Sequence, residues 1–169
     1  MQEPMSLRPH MPGYGITVEA EGMLPWSWAR ERLERSRDYW VASVWPDGRP
    51  HVMPVWGAFF DGCVWFSSDL GSRKSLNLRT EPRCVLATDD PLEPVIVEGV
   101  AEVVYDRAHT AAYVETIRTK YADEWVADAF TVDFFDANLG GGGTYKVTLT
   151  SVFALKESEF STSPTKWVF

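Results

Sequence analysis

The chain has 169 residues, a formal net charge of −8 and a hydrophobic fraction of 45%, which includes eight tryptophans. This length suits one domain with a sizeable core, and the acidic balance argues against binding to nucleic acid. No apolar run is long enough to cross a membrane, and the first twelve residues lack the apolar core of a secretory signal, so we expect a cytoplasmic protein with no membrane partner.

The cysteines and histidines show no spacing that is typical of a metal site. Cys63 and Cys84 lie in separate apolar stretches, which predicts free buried thiols and a reducing compartment. His10, His51 and His109 are scattered along the chain. The sequence also lacks a GxSxG nucleophile elbow and a Walker-type loop. We therefore predict no metal site and expect any difficult chemistry to need a bound organic cofactor.

The first part of the chain predicts an arm followed by a helix. Residues 1–25 are rich in Pro, Gly and Met without a period, which indicates an irregular arm that lies on the domain or on a partner subunit. Residues 26–169 are predicted to form a single domain. Its first element is an amphipathic helix from Trp26 to Asp38, with Ser27 as a candidate cap.

Short runs rich in β-branched and aromatic residues predict the strands. These runs are Tyr39–Trp45, Pro50–Phe60, Cys63–Ser67, Arg83–Thr88, Val95–Tyr105 and Tyr145–Leu155. Pro54 must lie at an edge or a bulge because proline cannot donate to a ladder, and Gly99 is a candidate bulge. A further helix is predicted over Ala108–Tyr121.

The segment between that helix and the last strand has no clear period. It carries several aromatic side chains that are expected to pack on another surface, such as a partner subunit: Trp125, Phe130, Phe134 and Phe135. Gly140–Gly143 is predicted to be a flexible break. It is not a dinucleotide-binding loop, because it lacks the preceding strand and the following helix.

The junction Ser72-Arg73-Lys74 carries the clearest chemistry. Ser72 can cap the helix that begins there, and the free N–H groups of the first turn favour an anion. Arg73 and Lys74 place two cations where the helix dipole disfavours them, and Ser67 and Ser68 could add hydroxyl donors. The residues alone leave two alternatives open, a phosphate site and a solvated basic turn.

Several motifs share their order and spacing with a known family. They are Asp47-Gly48-Arg49-Pro50-His51, Pro54-Val55-Trp56-Gly57, Trp65-Phe66-Ser67, Ser72-Arg73-Lys74 with Asn77-Leu78, Glu81-Pro82-Arg83, Val97-Glu98-Gly99 and the closing Pro164-Thr165-Lys166-Trp167-Val168-Phe169. Together they resemble the FMN-binding split-barrel superfamily, which includes pyridoxamine 5'-phosphate oxidases and flavin/deazaflavin oxidoreductases. The resemblance implies a mainly β or α+β fold, a six-stranded antiparallel split barrel with a few peripheral helices. It also implies a homodimer with cofactors at the interface.

The resemblance further implies which residues contact the cofactor. It places the phosphate against Ser67, Ser68, Ser72, Arg73 and Lys74. The flavin or deazaflavin ring would lie along the strand residues Met53, Pro54, Val55 and Trp56. The tail would add Lys166 and Trp167 from either subunit, although Lys166 and Val168 replace arginines of the family's closing motif. Removal of the tail is expected to weaken cofactor binding and to leave the fold intact.

The implied activity is hydride transfer from a reduced ring to a small organic acceptor, with coenzyme F420 favoured over FMN. Vitamin B6 oxidation is disfavoured because Met53 and Ala58 stand where those oxidases carry basic residues, although Tyr113 matches a substrate tyrosine. Two alternatives stay open: an FMN-binding oxidoreductase of this family, and a non-catalytic flavin- or haem-binding protein with His51 or His109 as the iron ligand. The substrate and the catalytic residues are not predicted.

Overall fold

The structure is a computed structural model that describes residues 3–123 and 127–169. Trp125, one of the aromatic residues predicted to pack on another surface, lies outside the described residues. The strands are β1 Met5–Leu7, β2 Asp38–Val44, β3 Pro50–Phe60, β4 Cys63–Asp69, β5 Arg83–Thr88, β6 Val95–Val104, β7 Gly142–Ala154 and β8 Thr165–Val168. The helices are α1 Trp26–Arg35, α2 Arg73–Thr80, α3 Arg107–Lys120 and α4 Val132–Phe135.

Six of these strands close an antiparallel barrel, which confirms the predicted split-barrel fold. The order is β2-β3-β4-β7-β6-β5, and β5 returns to β2. Of the two additional strands, β8 pairs with the C-terminal end of β7, and β1 pairs with β8. Closure pairs strands that would otherwise present unpaired edges to solvent.

The alternation of side chains along the strands builds the barrel interior. On β2, Tyr39 and Val41 are fully buried, whereas Trp40 and Val44 face outward, as the two-residue period of a strand requires. Each buried side chain of this size contributes roughly 1.5–3 kcal/mol to the free energy of unfolding.

Helix α1 differs from the prediction at both ends. Its N-cap is Pro25, which makes no side-chain capping bond, so Ser27 is not the cap. The helix ends at Arg35 rather than Asp38 because Ser36, its C-cap, leaves the helical conformation with a ψ of 127°. The Ser36 hydroxyl donates to the Asp38 carbonyl oxygen at 2.7 Å, and this bond leads the chain into β2.

The glycines of β6 and β7 have different roles. A register shift between Glu98 and Gly99 places a bulge at the predicted point, but its extra residue is Thr150 of β7, because Glu98 pairs with Ser151 and Gly99 with Leu149. A Cβ at Gly99 would lie 2.6 Å from the Thr148 carbonyl oxygen, so the strands approach too closely there for a side chain. The prediction of a flexible break at Gly140–Gly143 is wrong in its second half, because Gly142 and Gly143 begin β7 and pair with β4.

The segments outside the barrel pack on their own chain. Phe130 and Phe135 join Tyr113 and Ile117 of α3 in a second apolar cluster on the outside of the barrel. The arm follows the tail through β1 and through Arg8, which donates to the carbonyl oxygens of residues 162 and 164 at 2.7 and 2.8 Å. The part of the chain that the structure describes contains no helix long and apolar enough to span a bilayer.

Candidate functional site

Strand β3 changes partners at Gly57, and this change opens the split of the barrel. Residues up to Trp56 pair with β2, whereas Gly57 and the residues after it pair with β4. Strand β4 in turn pairs with β3 only as far as Phe66, and its continuation from Ser67 pairs with β7 alone. Within the described strands, residues 53–56 therefore have no strand partner on the side that faces the split, as the prediction of an edge position for Pro54 requires.

A concavity of about 360 Å³ lies at this split, and we call it the polar concavity. Its lining residues are Asp38, Pro54, Val55, Trp56, Ser67 and Lys74. Five of the residues predicted to contact a cofactor are thus brought together around one space. Met53 is 48% exposed but does not line it.

The start of α2 forms a small network of hydroxyl and ammonium groups. Ser72 is the N-cap, as predicted, and its hydroxyl accepts the Ser75 N–H at 3.3 Å. Lys74 Nζ donates to Ser68 Oγ at 2.7 Å, and that oxygen lies 2.9 Å from Ser72 Oγ. The cap and the cation therefore share Ser68 as a common partner.

The charge of Lys74 is uncompensated in this network. Burial lowers the pKa of its ammonium, and no carboxylate in the described part of the chain forms a salt bridge with it. A half-buried charge is costly unless a partner compensates it. Because the first turn of α2 also favours an anion, the site fits a phosphate group.

Arg73 points away from this network. Its guanidinium lies 3.8 Å from the centre of the Trp45 ring, which also has Arg49 at 4.4 Å. Arg73 does not line the polar concavity. The two adjacent cations of the junction therefore have different surroundings, and Lys74 is the one that reaches the split.

The two tail residues occupy different environments. Trp167 is 1% exposed and packs edge to face on Trp26, with ring centres 5.6 Å apart. Lys166 is partly exposed, and its Nζ lies 3.8 Å from a carboxylate oxygen of Glu98. Neither lines the polar concavity, so their contact with a cofactor stays a prediction.

Truncating a buried tryptophan destabilises a protein by about 3–5 kcal/mol. Removal of the tail, which contains Trp167, is therefore expected to damage the fold, in contrast to the prediction from sequence.

Two further residues belong to this site, and the sequence assigned neither of them to the cofactor. Asp38 lines the polar concavity, and its Oδ1 atom is buried without a hydrogen-bond partner. Tyr113 is fully buried in α3 and donates to Ser67 Oγ at 3.2 Å. Burial raises the pKa of Tyr113, so it remains a neutral donor. Because Tyr113 is fully buried, its ring has no exposed surface for contact with a substrate. The four-residue spacing of Tyr113 and Ile117 is the sequence pattern that indicates a buried helix face.

A second concavity, of about 600 Å³, shares Trp56 and Ser67 with the polar concavity, and we call it the aromatic concavity. Its lining residues are Trp56, Ser67, Ser68, Asp69, Ala129, Phe130, Asp133, Phe134, Phe135, Leu139, Gly141 and Gly142. The sequence assigned no site to the segment that supplies most of these residues.

The histidines and cysteines lie away from the two concavities. His109 has a 63% exposed side chain whose Nδ1 lies 3.0 Å from Asp106 Oδ1, and His51 Nδ1 is buried without a partner. Cys63 and Cys84 are free and buried, as predicted, and burial raises the pKa of both thiols. Among residues 3–123 and 127–169, no group of three potential ligands is placed to hold a metal ion.

Solved structures share this architecture at low sequence identity. A conserved hypothetical protein from Mycobacterium tuberculosis has a TM-score of 0.70 and 22% identity, over 83% of this chain and 90% of that one. An F420 reductase has a TM-score of 0.57 and 23% identity, over 73% and 94%. HutZ, the heme storage protein from Vibrio cholerae, has a TM-score of 0.61 and 13% identity, over 76% and 92%.

Sequence comparison identifies the family. No protein of curated function matches the sequence. The pyridoxamine 5'-phosphate oxidase family matches residues 28–150, a range that contains the whole split and the start of α2. The chain belongs to the pyridoxamine 5'-phosphate oxidase family.

Proposed function

We propose that the protein is a flavin- or deazaflavin-dependent oxidoreductase that uses the split of the barrel as its cofactor site. The observation that carries this proposal is the half-buried ammonium of Lys74, which has hydroxyl neighbours and no acidic partner in the described structure. A phosphate at this position would receive the charge of Lys74 and the N–H groups of the first turn of α2.

Each part of the split has a separate role in this proposal. Ser67, Ser68, Ser72 and Lys74 bind the phosphate, and the unpaired edge of β3 at residues 53–56 offers backbone groups to the ring. When bound, the cofactor supplies hydride transfer, while the protein positions it and shields it from water. The Trp56 ring packs on Tyr121 and Phe130, with centres 5.6 and 5.5 Å apart, and forms a fixed apolar wall for this shield.

Coenzyme F420 is the favoured cofactor, and FMN is the alternative. The similarity to an F420 reductase supports F420, as does the Pro-Val-Trp-Gly motif at the split. Both cofactors carry a phosphate and a flat tricyclic ring, so the same residues serve either one. A small organic molecule is the proposed hydride acceptor, and the buried free thiols fit the proposed cytoplasmic location.

The protein is also proposed to be a homodimer. Outward-facing apolar residues of β2, β3, β5 and β6 lie on one face, because their pairing places them on the same side of the sheet, together with the charged residues Arg83 and Glu98. These exposed residues are Trp40, Val44, Val52, Val85 and Val100. Apolar patches of this kind mark protein interfaces.

Sedimentation tests the proposed dimer. The wild type should be a dimer at micromolar concentration, and Val85→Glu should shift the equilibrium toward monomer. A wild-type monomer that binds cofactor tightly would contradict the proposal.

The test of the proposed function is a titration of purified protein with FMN and with F420, followed by a turnover assay. We expect saturable binding of at least one cofactor and faster oxidation of its reduced form when a suitable acceptor is added. Absence of binding for both cofactors would refute the proposal.

The similarity to a heme storage protein motivates a second candidate function, that of a non-catalytic binding protein. Such a protein would show a Soret band on purification or would bind cofactor without turnover.

A further inference from the structure

We propose that the aromatic concavity binds a flat aromatic molecule that is neutral or positively charged and that it disfavours anions. The proposal rests on the proposed function in one respect, since this ligand would be the acceptor that meets the cofactor. The two concavities share Trp56 and Ser67, so their ligands would have a wall in common.

The size and walls of the concavity suit a small aromatic ligand. Its volume of about 600 Å³ lies within the range of small-molecule sites, roughly 300–1,000 Å³. The rings of Trp56 and Phe130 meet edge to face, at 5.5 Å and 70°. The rings of Phe134 and Phe135 do so at 4.9 Å and 83°. Phe130 and Phe135 are buried by these contacts, whereas Phe134 is exposed and Trp56 is partly exposed, so the last two rings are the ones available for stacking by a further aromatic group.

Phe134 is an exposed aromatic side chain that is held at this wall by its backbone. It is 59% exposed, whereas its neighbour Phe135 is buried in the second apolar cluster. The Thr131 hydroxyl accepts the Phe134 N–H at 3.2 Å and caps the single turn of α4. A Cβ at Gly142 would lie 2.6 Å from the Phe134 carbonyl oxygen, so α4 sits directly against β7. The wall is therefore built before any ligand arrives.

The charges at the rim distinguish between ligands. The ionisable groups that line the concavity are Asp69 and Asp133. Arg107 donates to Asp133 and also to Asp136, with Nη1 at 2.8 Å from Asp136 Oδ2. One guanidinium is thus shared by two carboxylates, and the rim keeps a net negative charge.

Within residues 3–123 and 127–169, the one ammonium that bonds a residue of this lining belongs to Lys74, which donates to Ser68, and the proposed phosphate would neutralise it. An anionic ligand would therefore meet the net negative charge of the rim, which lowers its affinity relative to a neutral ligand of the same shape. An ammonium group on the ligand would instead find carboxylate partners.

Three probes that share one ring test the inference: 2-naphthamide, 2-naphthylmethylammonium and 2-naphthoate. We expect calorimetry at pH 7 to show binding of the first two to the cofactor-free wild type, and at least tenfold weaker binding of the naphthoate to Lys74→Ala, which lacks the free ammonium of the phosphate position. Phe134→Ala should weaken binding of the amide at least fivefold. Tyr105→Ala is the matched control, because Tyr105 is 62% exposed and does not line the concavity, and it should leave the affinity unchanged.

The variant Lys74→Ala separates the two concavities. It should abolish any naphthoate binding at the phosphate position while the affinity for the amide stays within about twofold. The inference is overturned if no probe binds or if the three probes bind with equal affinity. It is also overturned if naphthoate is the tightest ligand of Lys74→Ala, or if Phe134→Ala weakens binding no more than Tyr105→Ala does. Loss of probe selectivity in a protein that still binds FMN or F420 overturns this inference alone. Selective probe binding by a protein that binds neither cofactor overturns the proposed function and keeps the aromatic site.

Discussion

The polar and the aromatic concavities meet at Trp56 and Ser67 but are assembled in different ways. The polar one takes its ammonium and hydroxyl groups from one continuous stretch, Ser67 to Lys74. The aromatic one needs β3, β4 and the segment Ala129–Gly142, which the fold brings together over long sequence separations. A local motif can therefore bind the charged end of a ligand, whereas the apolar wall depends on tertiary packing. Changes at the two places should have separable effects on ligand affinity and on stability.

The largest expected effect is that of the double variant with Arg73→Ala and Lys74→Ala. A charge-assisted hydrogen bond from Lys74 contributes about 1.5–3 kcal/mol and Arg73 adds less, so cofactor affinity should fall by roughly one to three decades at about 1.4 kcal/mol per decade. The melting temperature of the cofactor-free protein should hardly change, because two cations oppose the dipole at this helix end. Fluorescence titration and thermal unfolding measure the two quantities; affinities within about threefold of wild type would place the phosphate elsewhere.

The two single variants sharpen the comparison inside the polar site. Lys74→Ala should remove about one to two decades of affinity, because its ammonium reaches the split. Arg73→Ala should remove less than about one decade, because its guanidinium stacks on Trp45 and would have to move to reach a phosphate. Arg79→Ala is the matched control, an exposed cation in the last turn of the same helix. The reverse order of effects would show that Arg73 turns toward the cofactor.

Tyr113→Phe tests the residue that positions Ser67 between the two concavities. It removes one hydrogen bond in a buried position, so the free energy of unfolding should fall by about 1 kcal/mol. Cofactor affinity should fall by less than about fivefold, because the Ser67 hydroxyl remains but loses its fixed orientation. Urea unfolding and cofactor titration of the same samples give both values. A loss of affinity as large as that of Lys74→Ala would mean that Tyr113 itself contacts the cofactor.

The smallest effect concerns Lys120, a second partly buried lysine, which donates to the Gly57 carbonyl oxygen at 2.6 Å. Burial lowers the pKa of Lys120 to about 8, although Asp38 and Asp89 oppose the shift. Between pH 8 and about 10 the folded protein releases this proton while the unfolded chain retains it, so stability contributed by this group rises with pH. The rise should be about 1 kcal/mol or less, given solvent screening.

Urea unfolding of wild type and Lys120→Met between pH 7 and 9.5 measures this contribution. The variant should lack the rise, because methionine has no proton to release. Parallel pH profiles of the two proteins would show that the pKa of Lys120 is not lowered in the folded state.

The parts of the molecule that sequence predicted are those encoded by short patterns. Strand β3 has the predicted bounds, Pro50–Phe60, because two turns delimit it, and Ser72 caps α2 as its position before a helical pattern indicated. The aromatic wall could not be predicted, because α4 is a single turn that depends on contact with Gly142. The different directions of Arg73 and Lys74 were equally hidden, since Trp45 is distant in sequence from both.

The measurement that tests the central claim most directly compares ligands with and without a phosphate. FMN and riboflavin share one ring system, and F420 shares its ring with its phosphate-free deazaflavin. Within each pair, the ratio of the two affinities therefore reports the contribution of the phosphate and side chain alone. If Lys74 binds the phosphate, wild type should prefer the phosphorylated ligand by at least tenfold, and Lys74→Ala should lose most of that preference while Arg79→Ala retains it. An equal preference in wild type and Lys74→Ala would contradict the account.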